Sequence, residues 1–238
     1  MSSLILEDVT VSRGAGPVIS HVSLTLPQGS VTAVVGPNGA GKTSLIEAIS
    51  GVVRTVSGGI RIDDESIAKL SRVARSRRGI VHIEQGRAVF PSLTVRENLS
   101  LTARTPAQLD AAIARFPELE KRIDSAAALL SGGEQQMVVL ARSFAAKPKF
   151  LLIDEMSLGL APVVFMRLLP IVSELAKEGA GVLLVEQFTN LALALADEAL
   201  VVASGRVSYQ GPAEELRQHP DLLHRAYLGG SAGEGSAA

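Results

Sequence analysis

The sequence predicts an α/β fold with a small antiparallel β layer and a helical insertion, on three observations. Short apolar runs recur, "VTAVVG" at 31–36, "FLLIDE" at 150–155, "GVLLVEQ" at 181–187 and "EALVVASG" at 198–205, with helical stretches between them. Such runs mark strands buried on both faces of a parallel sheet, and their alternation with helices marks an α/β core. Residues 4–11 and 21–26 instead alternate apolar and polar around Gly14, Gly16 and Pro17, which predicts an antiparallel pair with one buried face. Between Leu93 and Phe116 the pattern turns helical. Thr94 with Glu97 predicts one capping box, and Thr105, followed by Pro106 and Gln108, predicts another.

A chain of 238 residues, 47% of them hydrophobic, can bury a core unaided. We read 3–230 as a single domain with a helical subdomain at about 91–145. Residues 231–238, the end of "GGSAGEGSAA", are too small and polar to order themselves and predict a flexible tail. Twenty-three basic residues against twenty-four acidic ones make no field that would draw nucleic acid. The start, "MSSLILEDVT", has no basic segment and meets Glu7 and Asp8 before any apolar stretch suited to export. Asp197 and Glu198 break the apolar stretch at 191–203 below membrane-spanning length, so a role at a membrane requires another chain as anchor. The absence of cysteine excludes disulfides and thiolate-held metals and fits a cytosolic protein. "SRVARSRRG" at 71–79, with Arg72, Arg75, Arg77 and Arg78, reads as a solvated helix face.

The chemistry starts at "GPNGAGKTS", comprising Gly36, Pro37, Asn38, Gly39, Ala40, Gly41, Lys42, Thr43 and Ser44. It fits G-x-x-x-x-G-K-[ST] and lies between a buried strand and the helix "KTSLIEAISG", the position a phosphate-binding loop requires. Glycines let backbone N–H groups turn toward phosphate oxygens, and the helix start adds unpaired donors. Lys42 is placed to reach the β- and γ-phosphates of ATP, and the Thr43 hydroxyl to hold Mg²⁺. The core is therefore predicted to be a P-loop NTPase of RecA-like form. "FLLIDE" puts Asp154 and Glu155 at the carboxyl end of a strand, where α/β sheets bind ligands. Asp154 is expected in the Mg²⁺ shell, and Glu155 beside the attacking water.

A second glycine-bearing helix start, "LLSGGEQQ", follows at 129–136. Ser131, the N–H groups of Gly132 and Gly133, and Glu134 precede an amphipathic helix, forming an anion site with no basic side chain. With the phosphate loop and "FLLIDE" in this order, the chain resembles the ATP-binding-cassette (ABC) ATPases. In that family this motif caps the γ-phosphate of an ATP held by a facing subunit. The resemblance implies further roles. Gln85, in "EQGRAVFPSLTVRENL", corresponds to the Q-loop glutamine that contacts Mg²⁺ and the attacking water. "SLGLAP" at 157–162 corresponds to the D-loop, and Gln187 stands where most members carry a switch histidine.

Three departures stand out. Gln187 can donate to a γ-phosphate but cannot become cationic. Met156 replaces the usual proline after the catalytic glutamate, which predicts a looser turn. Arg13 stands where an aromatic residue usually stacks on adenine; its guanidinium plane can stack too, or it is a solvated hairpin residue.

"GRAVFPSLTVRENL", "FPELEKRI", "MSLGLAP", Gln187 and the ending "AYLGG" resemble the ATPase subunits of branched-chain amino-acid importers. They also resemble the related urea and short-amide importers, toward which Gln85 tilts the comparison. The resemblance implies a second ABC ATPase in a homo- or heterodimer, two integral membrane permease subunits and, indirectly, a solute-binding protein. It places the chain on the cytoplasmic face of the membrane. An exporter ATPase, a non-transport cassette scaffold and a phosphate-loop kinase stay open as alternatives.

Overall fold

The computed structural model describes residues 2–14, 16–86 and 88–230, so the expected tail at 231–238 lies outside the described residues. β1 (Ser3–Ser12) and β2 (Pro17–Pro27) pair antiparallel, with Leu4, Leu6, Leu24 and Leu26 pointing inward in alternation. β3 (Val31–Val35) is buried throughout and runs through the glycine loop into α1 (Lys42–Ser50). β4 (Thr55–Ile62) and β5 (Glu65–Ser66) complete an antiparallel sheet of order β2-β1-β4-β5. Next come α2 (Arg72–Arg77) and β6 (Ile80–Ile83). Among the described residues, four α-helices and a short 3-10 turn (Ala127–Leu129) then separate β6 from β7 (Phe150–Asp154): α3 (Val95–Ser100), α4 (Pro106–Ala114), α5 (Pro117–Glu120) and α6 (Gly132–Ala146). The chain continues through α7 (Pro162–Lys177), β8 (Gly181–Val185), α8 (Thr189–Leu195) and β9 (Glu198–Ala203). It ends in β10 (Arg206–Pro212), α9 (Ala213–Gln218) and α10 (Pro220–Tyr227).

The large sheet has the order β10-β9-β3-β8-β7-β6 and is parallel except for β10. Its side chains divide between two cores. Ala33, Leu151, Ile153, Val182 and Leu184 pack with Val138 of α6 and Phe165 of α7. Val34, Phe150, Leu152, Leu183 and Val185 pack with α1 and the small sheet through Leu45, Ile49 and Leu6. A strand covered on both faces has no polar side, which is why these runs are uninterrupted in the sequence.

β6 and β4 depart from that pattern for local reasons. β6 lies at the sheet edge, where Val81 and His82 are only partly covered, so its run includes a histidine. β4 contains Gly58 and Gly59, which interrupt its alternation.

The capping box at Thr94 is present: its hydroxyl accepts from the Glu97 N–H at 3.2 Å, and the Glu97 carboxylate accepts from the Thr94 N–H at 2.8 Å. At Thr105 only half of the expected box forms. The hydroxyl accepts from the Gln108 N–H, but the Gln108 side chain accepts from the Arg104 N–H at 2.6 Å instead. The arginine run also departs from expectation. Arg75 is 3% exposed, and its guanidinium donates to the Ala48 and Ile49 carbonyls at 2.6 and 2.7 Å and to those of Ala68 and Leu70. The Ala48 and Ile49 carbonyls lie in the last turn of α1, where helical donors run out, and Arg75 adds donors to them from another element.

Candidate functional site

The loop between β3 and α1 turns at Gly36, Gly39 and Gly41, all at positive φ. A Cβ at Gly36 would stand 2.0 Å from the Val202 carbonyl oxygen, and one at Gly41 2.6 Å from that of Val18, so neither position admits a side chain. No side chain caps α1. Its first N–H groups are thus left to meet an anion. The Lys42 ammonium is folded back under the loop and donates to the Gly36 and Pro37 carbonyls at 2.7 and 2.9 Å. Burial holds its pKa below the usual lysine value, against the pull of Glu155 and Asp154.

At the carboxyl ends of the neighbouring strands, the Thr43 hydroxyl donates to Asp154 Oδ1 at 3.3 Å. Burial pushes Asp154 up to about 6, opposed by that bond and by Lys42, while the Glu155 charge adds to the rise. Glu155 Oε2 accepts from Gln85 Nε2 at 2.8 Å and from Gln187 Nε2 at 3.1 Å. Three residues far apart in the chain therefore meet at one oxygen. With Val18 and residues 38–44 they line a cavity of about 360 Å³.

The donor set fits a nucleotide with its metal. Backbone N–H groups and a buried ammonium suit phosphates, and the oxygens of Thr43 and Asp154 suit Mg²⁺. Among the described residues no cluster of three or more His, Cys, Asp or Glu could hold a metal by itself. A cation here would share its shell with phosphate oxygens, which is how Mg²⁺ is usually bound.

Arg13 is not a free hairpin residue. Its Nε donates to the Ser44 hydroxyl at 3.1 Å, and its guanidinium pairs with Glu47 of α1. Ser131, Gly132, Gly133 and Glu134 lie at the start of α6 and do not line the cavity. Ser131 caps its own helix: its hydroxyl accepts from the Glu134 N–H at 3.3 Å, and the Glu134 carboxylate accepts from the Ser131 N–H at 2.8 Å. A Cβ on Gly133 would stand 2.8 Å from Val164 Cγ1 of α7. Local architecture thus accounts for Ser131, Gly133 and Glu134.

Two buried polar residues around the site were not singled out from the sequence. Asn98 accepts from the Phe90 N–H and donates to the carbonyls of Phe90, Leu93 and Thr94, fixing residues 90–94 against α3. Glu186, beside Gln187, is fully buried against Ser157. Neither carries a sequence signal, since a polar residue in a helix or after an apolar run is usually exposed.

A family model described as ABC transporter matches residues 19–157. The chain belongs to the ABC transporter ATPases. As a member of that family it binds and hydrolyses ATP. It is 37% identical to the high-affinity branched-chain amino acid transport ATP-binding protein BraG of Pseudomonas aeruginosa, over 95% of this chain and all of BraG. It is 35% identical to the lipopolysaccharide export system ATP-binding protein LptB of Haemophilus influenzae, over 96% of this chain and 98% of LptB. A solved ATP-binding subunit of an ABC transporter superimposes with a TM-score of 0.81 at 28% identity, covering 94% of this chain and 98% of that one. The P-loop α/β core predicted from sequence is the fold of this ABC ATPase.

Proposed function

We propose that this ABC ATPase is the energy-coupling subunit of a membrane importer for branched-chain amino acids. The observation that carries the reading is the match to BraG over 95% of this chain and all of BraG. The match to LptB at similar identity favours a second reading, the ATPase of an exporter.

In this reading Lys42 leaves the Gly36 and Pro37 carbonyls for the β- and γ-phosphates. Charge-assisted bonds of that kind contribute about 1.5–3 kcal/mol each. Thr43, Asp154 and Gln85 would hold Mg²⁺, which would neutralise charge on the phosphates. Glu155, its carboxylate steered by Gln85 and Gln187, orients and deprotonates the attacking water, a contribution of about 10²–10⁴-fold. Gln187 donates to the γ-phosphate. Ser131, Gly132, Gly133 and Glu134 act on the nucleotide of a second cassette, so the site is completed only when two ATPase subunits close.

The assembly comprises that second subunit, two integral membrane permeases and a solute-binding protein, with this chain on the cytoplasmic face. No described helix is long and apolar enough to cross a membrane, which leaves anchoring to the permeases. The test is purification of the tagged chain from its native membranes in mild detergent, followed by reconstitution of the retained subunits and uptake of labelled leucine. Two multi-span proteins, a second cassette and leucine uptake are expected. Retention of envelope-export components without uptake would favour the exporter, and soluble partners alone would remove transport from the account.

A further inference from the structure

Glu155 has a backbone φ of 46°, in the left-handed region that residues with side chains rarely occupy. Such a conformation persists only where its surroundings impose it. Here the end of β8 does so. The Glu155 N–H donates to the Val185 carbonyl at 2.9 Å, and the Leu158 N–H closes the turn on the Glu155 carbonyl at 3.1 Å. Between those points the Glu186 carboxylate accepts from the Ser157 N–H at 3.1 Å and from the Ser157 hydroxyl. It also accepts from the Gln187 N–H at 3.3 Å. Val185, Glu186 and Gln187 in succession therefore grip the backbone of Glu155, the residue two positions after it, and the Glu155 carboxylate.

Met156 lies within this grip and has no ring to fix its φ. The looser turn its presence predicts is held instead from outside, by a buried acid. A carboxylate without exposure is an expensive way to fill space, and a neutral acceptor would serve packing alone at less cost. Burial pushes Glu186 up to about 7, the Glu155 charge adding to the rise and the bonds from Ser157 and Gln187 opposing it. What the acid supplies in return is a strong acceptor for two donors of one residue.

We propose that Glu186 is a positioning residue for hydrolysis: through Ser157 it fixes the turn that carries Glu155, and so sets where the Glu155 carboxylate stands over the phosphate loop. The inference rests on the role given to Glu155 above.

The experiment compares Glu186→Ala, Glu186→Gln, Ser157→Ala and the double variant Glu186→Ala/Ser157→Ala in the purified complex, with Glu155→Gln as reference. It reads nucleotide Kd, KM and kcat. Misplacement by about 1 Å costs about 10²-fold in rate, so Glu186→Ala should lower kcat by about 30-fold or more, with Kd and KM within about twofold of wild type. Glu186→Gln keeps the shape of the side chain but only one of the two acceptor oxygens, and should recover only part of that loss. Ser157→Ala should lower kcat by about 3–10-fold alone and add nothing in the Glu186→Ala background, because both remove one link. Wild-type kcat in Glu186→Ala, additive effects in the double variant, or a rise in Kd matching the fall in kcat would each overturn the proposal. If Glu186→Ala does not fold, Ser157→Ala decides: kcat must fall with KM unchanged, and wild-type kcat refutes it. Normal hydrolysis by Glu155→Gln would remove the role of Glu155 as well, whereas its loss with unaffected Glu186 variants would remove only this inference.

Discussion

The molecule has two glycine-bearing helix starts, and they are built in opposite ways. α1 begins with no side-chain cap, on glycines at positive φ that no side chain could replace, above a buried lysine and beside a cavity. α6 begins with a complete capping box, in which Ser131 and Glu134 satisfy each other's N–H groups. The first start leaves its N–H groups without a side-chain acceptor. The second has met part of its own need, and it lies outside the cavity its own chain forms. In the account proposed here, a chain can therefore bind nucleotide alone with α1, while α6 contributes only when a partner presents a triphosphate to it.

Four substitutions put pressure on that contrast. The largest effect expected is from Glu155→Gln, which should lower kcat by about 10²–10⁴-fold and leave nucleotide affinity at wild-type level. Steady-state hydrolysis and a fluorescent-nucleotide titration measure both, and normal turnover would show that the α1 cavity is not where hydrolysis occurs. Lys42→Ala removes the ammonium under the loop and should weaken nucleotide binding by about 10–100-fold in the same titration. Retained affinity would mean that α1 is not the anion site. Gly133→Ala should force α6 and α7 apart at Val164 and cost about 1–3 kcal/mol, read as a lower Tm with unchanged nucleotide affinity. If affinity falls as well, the two helix starts are coupled within one chain.

The smallest effect is a dependence on pH. The Glu134 carboxyl is held below its ordinary value of 4.5 by bonds from the Ser131 N–H and side chain, with Arg122 adding to the fall. A lowered folded-state pKa means that its stabilisation is complete above the unfolded value and disappears as pH falls through the folded one. The Tm gap between wild type and Glu134→Ala should thus hold steady from about pH 7 to pH 5 and shrink as pH falls through the lowered folded-state pKa. A gap that persists in acid would show that the capping carboxylate is not its source.

The parts of this molecule that were legible in the sequence are those where one local pattern has one physical cause. The loop at 36–41 shows as glycines between a covered strand and a helix. The central strands show because both faces need apolar side chains. What stayed hidden depends on distant partners. Nothing near Arg75 tells that its guanidinium ends α1 rather than meeting water, and nothing near Gln108 tells that it turns to Arg104. His82 concealed β6 because an edge strand tolerates a polar residue. Glu186 resembles Glu155 in sequence, each an acid closing an apolar run, and only the arrangement of β7 and β8 points one into the cavity and the other under Ser157.

The division of labour between the two helix starts is tested most directly by Ser131→Arg, measured for equilibrium nucleotide binding and for hydrolysis on the same preparation of the purified complex. The account predicts a Kd within about twofold of wild type and no detectable hydrolysis. Loss of binding together with hydrolysis, or hydrolysis that continues undiminished, would contradict it.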